Sequence, residues 1–166
     1  MMDAELLSRA RNIKLLLMDC DGVLTDGRLY FSERGEELKV FHVRDGQGLV
    51  TWHEAGFISG IITGRDAEPI IRRRAEELGI RYIKANSADK IGDFEAIIAD
   101  AGVSPGETAF IGDDIGDLGL LDRVGLSIGV ADAVEEVRAK VMLVTKANGG
   151  YGAVREATDM LLRSKL

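Results

Sequence analysis

Two short apolar runs each end in a cluster of acid, and this pairing limits the folds open to the chain more than any other feature. Ile13-Lys14-Leu15-Leu16-Leu17-Met18 leads into Asp19 and Asp21, and Thr108-Ala109-Phe110-Ile111-Gly112 leads into Asp113, Asp114 and Asp117. A short run that is apolar rather than alternating suits a strand buried on both faces, as in a parallel sheet covered by helices. If the two runs are neighbouring parallel strands, five carboxylates converge on one crevice. Two such charges about 4 Å apart repel by roughly 4 kcal/mol at an effective dielectric of about 20, so the cluster needs a cation. Oxygen-only ligands favour a hard ion, Mg²⁺ first, and an aspartate beside Mg²⁺ is a ready nucleophile for a phosphoryl group.

The remaining segments continue the alternation of strand and helix. From Leu29 to Val43 the pattern is Leu-Tyr-Phe, a polar turn over Ser32 to Gly35 and Glu36, then Leu38-Lys39-Val40-Phe41, which predicts a hairpin projecting from the core. Helices are expected from about Gly46 to Ala55, Ala67 to Leu78, Asp89 to Ala101, Leu118 to Asp122, Asp132 to Arg138 and Ala153 to Leu162. Strands are expected at Phe57 to Ile62, Ile80 to Ile83, Leu126 to Val130 and Val141 to Val144. The fold class is therefore α/β, a Rossmann-like parallel sheet with helices on both faces and a projecting hairpin, with ligands bound beyond the carboxyl ends of the strands. Residues 1–166 read as one domain, and Lys146 to Gly152 is the most flexible stretch by composition.

Charge and cysteine usage exclude several classes of function. A net charge of −7 and a pI of about 4.9 argue against general affinity for nucleic acid or anionic membrane, so a small anionic substrate must be drawn by local positive charge. Cys20 is the only cysteine, which rules out an intrachain disulfide, and His42 and His53 are too few for a zinc site. The start Met-Met-Asp-Ala-Glu lacks a basic, apolar leader and no run reaches membrane-spanning length, so a soluble protein of the reducing cytosol is expected.

Four pieces fall at strand ends or helix starts: Asp19-Cys20-Asp21-Gly22-Val23-Leu24-Thr25-Asp26-Gly27, Thr63-Gly64-Arg65, Lys90, and Gly112-Asp113-Asp114-Ile115-Gly116-Asp117. In this order they resemble the four motifs of the haloacid dehalogenase superfamily of phosphotransferases, over nearly the whole chain. An aspartate pair one residue apart on a strand end puts both carboxylates on one side. Asp19 can then attack phosphorus while Asp21 protonates the leaving alcohol and later deprotonates the hydrolytic water. Thr63, Gly64 and Lys90 would hold the phosphoryl oxygens, and Mg²⁺ would bridge Asp19, the Asp21 backbone carbonyl and Asp113. Asp114 and Asp117 are expected to position water and Lys90. Between Asp21 and Thr63, and again between Lys90 and Gly112, the sequence leaves no room for a cap domain. The open site then needs either a macromolecular substrate or another subunit to close it, and the acidic charge and projecting hairpin favour the subunit.

Leu24-Thr25-Asp26-Gly27, Phe41 to Gly48, Ile61 to Arg65 and Gly149 to Glu156 are similar to the 3-deoxy-D-manno-octulosonate 8-phosphate phosphatases. That resemblance implies a capless, cytoplasmic homotetramer that hydrolyses the phosphate of an eight-carbon keto acid sugar for lipopolysaccharide biosynthesis. It also implies hairpins assembled as a central barrel and sites completed by neighbouring subunits. Arg65 and Arg74 are its substrate-binding candidates. The chain departs from the pattern at Tyr151, where the family often has Arg, at Val23, where it often has a hydroxyl residue, and in an Arg65–Arg74 segment one residue longer.

Other assignments weigh against these. Cys20, on the opposite strand face, is read as core, and His42, His53 and Trp52 as structural or interfacial. Arg72-Arg73-Arg74 is by base rate a solvated helix face, with a role in trans for one arginine as the alternative. A phosphatase for nine-carbon keto acid phosphates stays open, although Arg65 stands where those relatives carry acid. A phospho-accepting receiver domain also clusters Asp, Thr and Lys on a parallel sheet, but as a family pairs adjacent acids on its first strand and is phosphorylated on its third.

Overall fold

The computed structural model describes residues 4–166, so the reading of Met1-Met2-Asp3 as an acidic, leaderless start lies outside the described residues. The first apolar run becomes β1 (Leu15–Met18), whose four residues are all buried because a strand covers each of its edges and helices cover its faces. On one side β4 (Ile58–Ile62) pairs with it in parallel, Leu15 opposite Ile58. On the other, β6 (Thr108–Gly112) does the same, Leu15 opposite Thr108 and Met18 opposite Ile111. The two acid-tipped runs are therefore neighbours in register. β5 (Tyr82–Lys84) extends the sheet beyond β4, and β7 (Leu126–Gly129) and β8 (Leu143–Val144) extend it beyond β6, giving six parallel strands in the order β5-β4-β1-β6-β7-β8.

Helices α1 (Ala4–Asn12), α2 (Val43–Glu54) and α7 (Ala153–Ser164) pack together on one face, with α3 (Glu68–Leu78) beside α2. On the other face lie α4 (Lys90–Ala101) and α5 (Leu118–Leu121), while α6 (Glu135–Lys140) packs beside the 3-10 turn Ile115–Asp117. β2 (Tyr30–Ser32) and β3 (Gly35–Leu38) form the separate antiparallel hairpin, with Leu29, Phe31, Leu38 and Val40 exposed on it. Only this hairpin and α2 stand between β1 and β4, and only α4 and a 3-10 turn between β5 and β6, so no cap domain is inserted at either place. No helix of the described residues is long and apolar enough to cross a membrane.

Several boundaries differ from the sequence expectation for local reasons. α2 starts three residues early because His42 caps it, its Nδ1 accepting from the Arg44 amide at 3.2 Å. β5 starts at Tyr82 and β8 at Leu143, and α6 starts at Glu135, after a turn over Ala131 to Val134. Cys20 is fully buried, and Trp52 is a core residue whose indole donates to the Ile58 carbonyl at 2.9 Å and stacks on Phe57 at 4.3 Å. His53 bridges the Leu78 carbonyl (3.0 Å) and the Ser59 hydroxyl (2.7 Å), tying α2 to α3 and β4.

Candidate active site

Parallel pairing of β1 with β6 delivers both acidic tips to the same end of the sheet. The Asp19 amide still donates to the Ile111 carbonyl at 3.0 Å, so Asp19 is held by the last rung of the ladder rather than by a loose loop. Oxygens of Asp19, Asp113 and Asp117 lie within 4.8 Å of one another. Gly22 allows Asp113 to come this close. It takes φ +85°, and a β-carbon there would sit 1.9 Å from Asp113 Oδ2, so the carboxylate rests on bare backbone.

The three acids are not equivalent. Asp117 is buried and has both oxygens occupied: Oδ2 accepts from the Asp113 amide at 3.0 Å and more weakly from the Asp114 amide at 3.4 Å, and Oδ1 accepts from Lys90 Nζ at 2.7 Å. Proximity groups it with a metal's candidate ligands, and its existing bonds shape the loop and seat the lysine. Asp19 accepts from Lys90 Nζ at 2.8 Å through Oδ2 and from the Cys20 amide at 2.6 Å through Oδ1. Asp114 caps the following 3-10 turn through the Ile115 amide at 2.7 Å.

Charge in this cluster is not balanced by protein alone. Burial, and then the charges of Asp19, Asp117 and Asp114, push the Asp113 carboxyl up to about 8. Burial and Asp117 likewise raise Asp19 against the opposing pull of Lys90. Burial opposes the Lys90 ammonium, yet attraction to Asp19 and Asp117 outweighs it and holds the group above the usual lysine range. An all-oxygen cluster with a surplus negative charge fits a hard divalent cation.

The other predicted residues divide into two groups. Thr63, at the end of β4, is buried, its amide donating to the Lys84 carbonyl at 2.8 Å and its carbonyl accepting from the Ser87 amide at 3.0 Å. Lys90 opens α4, whose N-terminus Asp89 caps through the Gly92 amide at 3.0 Å, so the positive helix end faces the acids. Thr63, Gly64, Arg65 and Lys90 line a crevice of about 240 Å³ with Asp19, Asp21, Asp113, Asp114, Gly116 and Asp117. Arg74 lies elsewhere, 5.8 Å from the Phe41 ring centre and 2.9 Å from Glu77, on a separate depression shared with Pro69 and Arg73. The chain's own fold does not bring Arg74 to the crevice.

Sequence reasoning missed two side chains and one segment. Lys39, just beyond β3, is buried and donates to Asp21 Oδ1 at 2.5 Å and to Glu36 at 2.7 Å, while Glu36 accepts from Arg65 at 3.1 Å. The hairpin is thus bonded to the site from Lys39 at its base to Glu36 beside its turn. The glycine-rich tail, expected to be the most flexible stretch, is pinned instead. The Gly150 amide donates to the Val23 carbonyl at 2.9 Å, the Gly149 amide to Asp132 at 2.9 Å, and a β-carbon on Gly149 would lie 1.7 Å from the Gly22 carbonyl oxygen. Close glycine-to-glycine packing is invisible to composition, which reports only backbone freedom. Tyr151 remains exposed, its hydroxyl 3.4 Å from Asp26.

A family model of haloacid dehalogenase-like hydrolases matches residues 65–157. The chain is 41% identical over 158 residues to the 3-deoxy-D-manno-octulosonate 8-phosphate phosphatase of Yersinia pestis, covering 95% of this chain and 84% of that protein. The crystal structure of the Yersinia pestis phosphatase superposes with a TM-score of 0.95 at 40% identity, over 99% of this chain and 88% of that one. The Moraxella catarrhalis phosphatase, crystallised with magnesium, phosphate and KDO, superposes with a TM-score of 0.94 at 37% identity, over 99% of this chain and 94% of that one.

Proposed function

The chain belongs to the haloacid dehalogenase-like hydrolases, and on that footing we propose that it is a Mg²⁺-dependent phosphatase hydrolysing 3-deoxy-D-manno-octulosonate 8-phosphate to the free sugar acid and phosphate. The observation that carries this reading is the convergence of Asp19 and Asp113 within 4.8 Å in a cluster with surplus negative charge, beside a Lys90 ammonium that meets Asp19 at 2.8 Å. Asp19, the Asp21 carbonyl and Asp113 would hold Mg²⁺, which when bound offsets charge on the phosphoryl oxygens and on the attacking acid.

The chain's own residues then divide the work. Asp19 attacks phosphorus, forming an aspartyl-phosphate, as Asp21 gives its proton to the departing sugar oxygen. Asp21, now ionised, takes a proton from the water that cleaves the acyl phosphate, which restores Asp19 and releases phosphate. Thr63 and the Gly64 amide serve as donors to the phosphoryl oxygens, and Lys90, oriented by Asp117, adds positive charge where it grows in the transition state. Arg65 at the crevice mouth is suited to the sugar acid's carboxylate.

In this reading the protein works in the cytoplasm as a homotetramer supplying lipopolysaccharide biosynthesis. The exposed apolar hairpin residues, Phe31 at 64% and Leu38 at 52% exposure among them, support assembly, and Arg74 would serve a neighbouring copy. Phosphate release from a panel of sugar phosphates, with and without Mg²⁺, tests the proposal. The eight-carbon keto acid phosphate should turn over far faster than simple sugar phosphates and only with the metal. Faster turnover of nine-carbon keto acid phosphates would reassign the substrate, and metal-independent turnover would overturn the chemistry.

A further inference from the structure

Lys39 is buried at the base of a solvent-exposed hairpin, a costly place for an ammonium unless its charge has a use. Its side chain is fully shielded and sits between two carboxylates, 2.5 Å from Asp21 Oδ1 and 2.7 Å from Glu36. Burial opposes its charge, but the bonds to Asp21 and Glu36 prevail and hold it above the usual lysine range. Glu36 in turn accepts from Arg65 at 3.1 Å, so cation and anion alternate from the hairpin to the crevice mouth. The other Asp21 oxygen, Oδ2, is buried with no hydrogen-bond partner; Arg65 Nε stands off at 3.8 Å.

We infer that Lys39 is a positioning residue for the phosphatase reaction: by fixing Oδ1 of Asp21 it sets the orientation of the carboxyl group that exchanges a proton with the leaving-group oxygen. This rests on the assignment of Asp21 as acid and base made above. Lys39 is fully shielded from solvent, so it acts through Asp21 and does not touch substrate. The hairpin therefore has a role in its own chain's chemistry besides any role in assembly. Without the lysine, Oδ1 of Asp21 loses its hydrogen-bond donor and the side chain is free to turn from its bonded position. Proton transfer to the leaving group is worth about 10²- to 10⁴-fold, and it depends on that orientation.

The test compares kcat/KM for the sugar phosphate, whose alkoxide must be protonated to leave, with kcat/KM for p-nitrophenyl phosphate, whose phenolate leaves without a proton. This constant ends at departure of the alcohol, so later hydrolysis of the phosphoenzyme does not enter. The ratio of the two also cancels any loss of folded enzyme. Lys39→Met should lower the sugar phosphate value by roughly 10- to 100-fold and the aryl value by less than about threefold. Lys39→Gln, which can still donate to Oδ1, should show the same selectivity in weaker form and serves if Lys39→Met does not fold. Equal losses on both substrates, or no loss on either, would overturn the inference. Asp21→Asn is the reference: if it too is unselective, the assignment of Asp21 as the acid fails, whereas a selective Asp21→Asn with an unselective Lys39→Met fails only the inference.

Discussion

Adding one methyl group at Gly22 should cost metal affinity more than it costs fold. Gly22 has φ +85°, a left-handed conformation that costs an alanine about 1–2 kcal/mol. The new β-carbon would lie 1.9 Å from Asp113 Oδ2 and 2.5 Å from its Cγ, distances no real contact tolerates. Because the offended atoms are the free end of a side chain, Asp113 can rotate away rather than force the strand apart. Stability should thus fall only by the backbone cost of about 1–2 kcal/mol, while the cluster loses a carboxylate from its place. Disturbing groups that set up a metal site typically costs about 10- to 100-fold in affinity, equivalent to about 1.4–2.8 kcal/mol. Gly22→Ala should accordingly raise the Mg²⁺ concentration for half-maximal phosphate release by at least about tenfold, with only a modest shift of the urea midpoint. An unchanged Mg²⁺ requirement would refute the role given to the Gly22–Asp113 contact.

Three further outcomes follow from contacts elsewhere. Lys90→Met strands Asp19 and the buried Asp117 without their cation, and urea unfolding should show a loss near the lower end of the about 3–5 kcal/mol seen for broken buried pairs. Added Mg²⁺ should restore part of it. Asp45 accepts from the Arg155 amide at 2.8 Å and the Gly152 amide at 3.3 Å, capping α7, so Asp45→Ala should cost about 1–2 kcal/mol in thermal or urea unfolding and Asp45→Asn less. Burial holds His53 below its ordinary value of 6.5, so the unfolded chain binds this proton more readily than the folded one. Its contribution is then fully present above about pH 6.5 and lost as pH falls through the depressed folded value. His53→Gln should therefore flatten the pH dependence of unfolding free energy below that point, measured as the difference from the parent chain.

The parts of the fold legible in the sequence are those in which local pattern and tertiary environment agree. Leu15 to Met18 is uniformly apolar because it is covered on both faces, and the acids after it are strand ends because the apolar run stops there. The pairing of β1 with β6, on which the five-aspartate cluster depends, could be posed from the sequence, but the order of all six strands could not, since each strand is compatible with several neighbours. Lys39 was hidden for a different reason. It stands in an alternating hairpin stretch where a lysine ordinarily faces solvent, and its partner Asp21 is remote in sequence, so neither period nor spacing marks the pair. Arg74 was singled out by family pattern, yet its placement beside Phe41 and Glu77 follows from the packing of α3, which no motif encodes.

The central claim is that Asp19 becomes covalently phosphorylated. Asp21→Asn, which lacks the base for the second half-reaction, should accumulate the intermediate when mixed with p-nitrophenyl phosphate and Mg²⁺, then quenched in acid within one turnover. Peptide mass spectrometry should find the phosphoryl group on Asp19 and nowhere else. Phosphate on another residue, or turnover of the parent enzyme with no phosphorylated peptide at any quench time, would contradict the account.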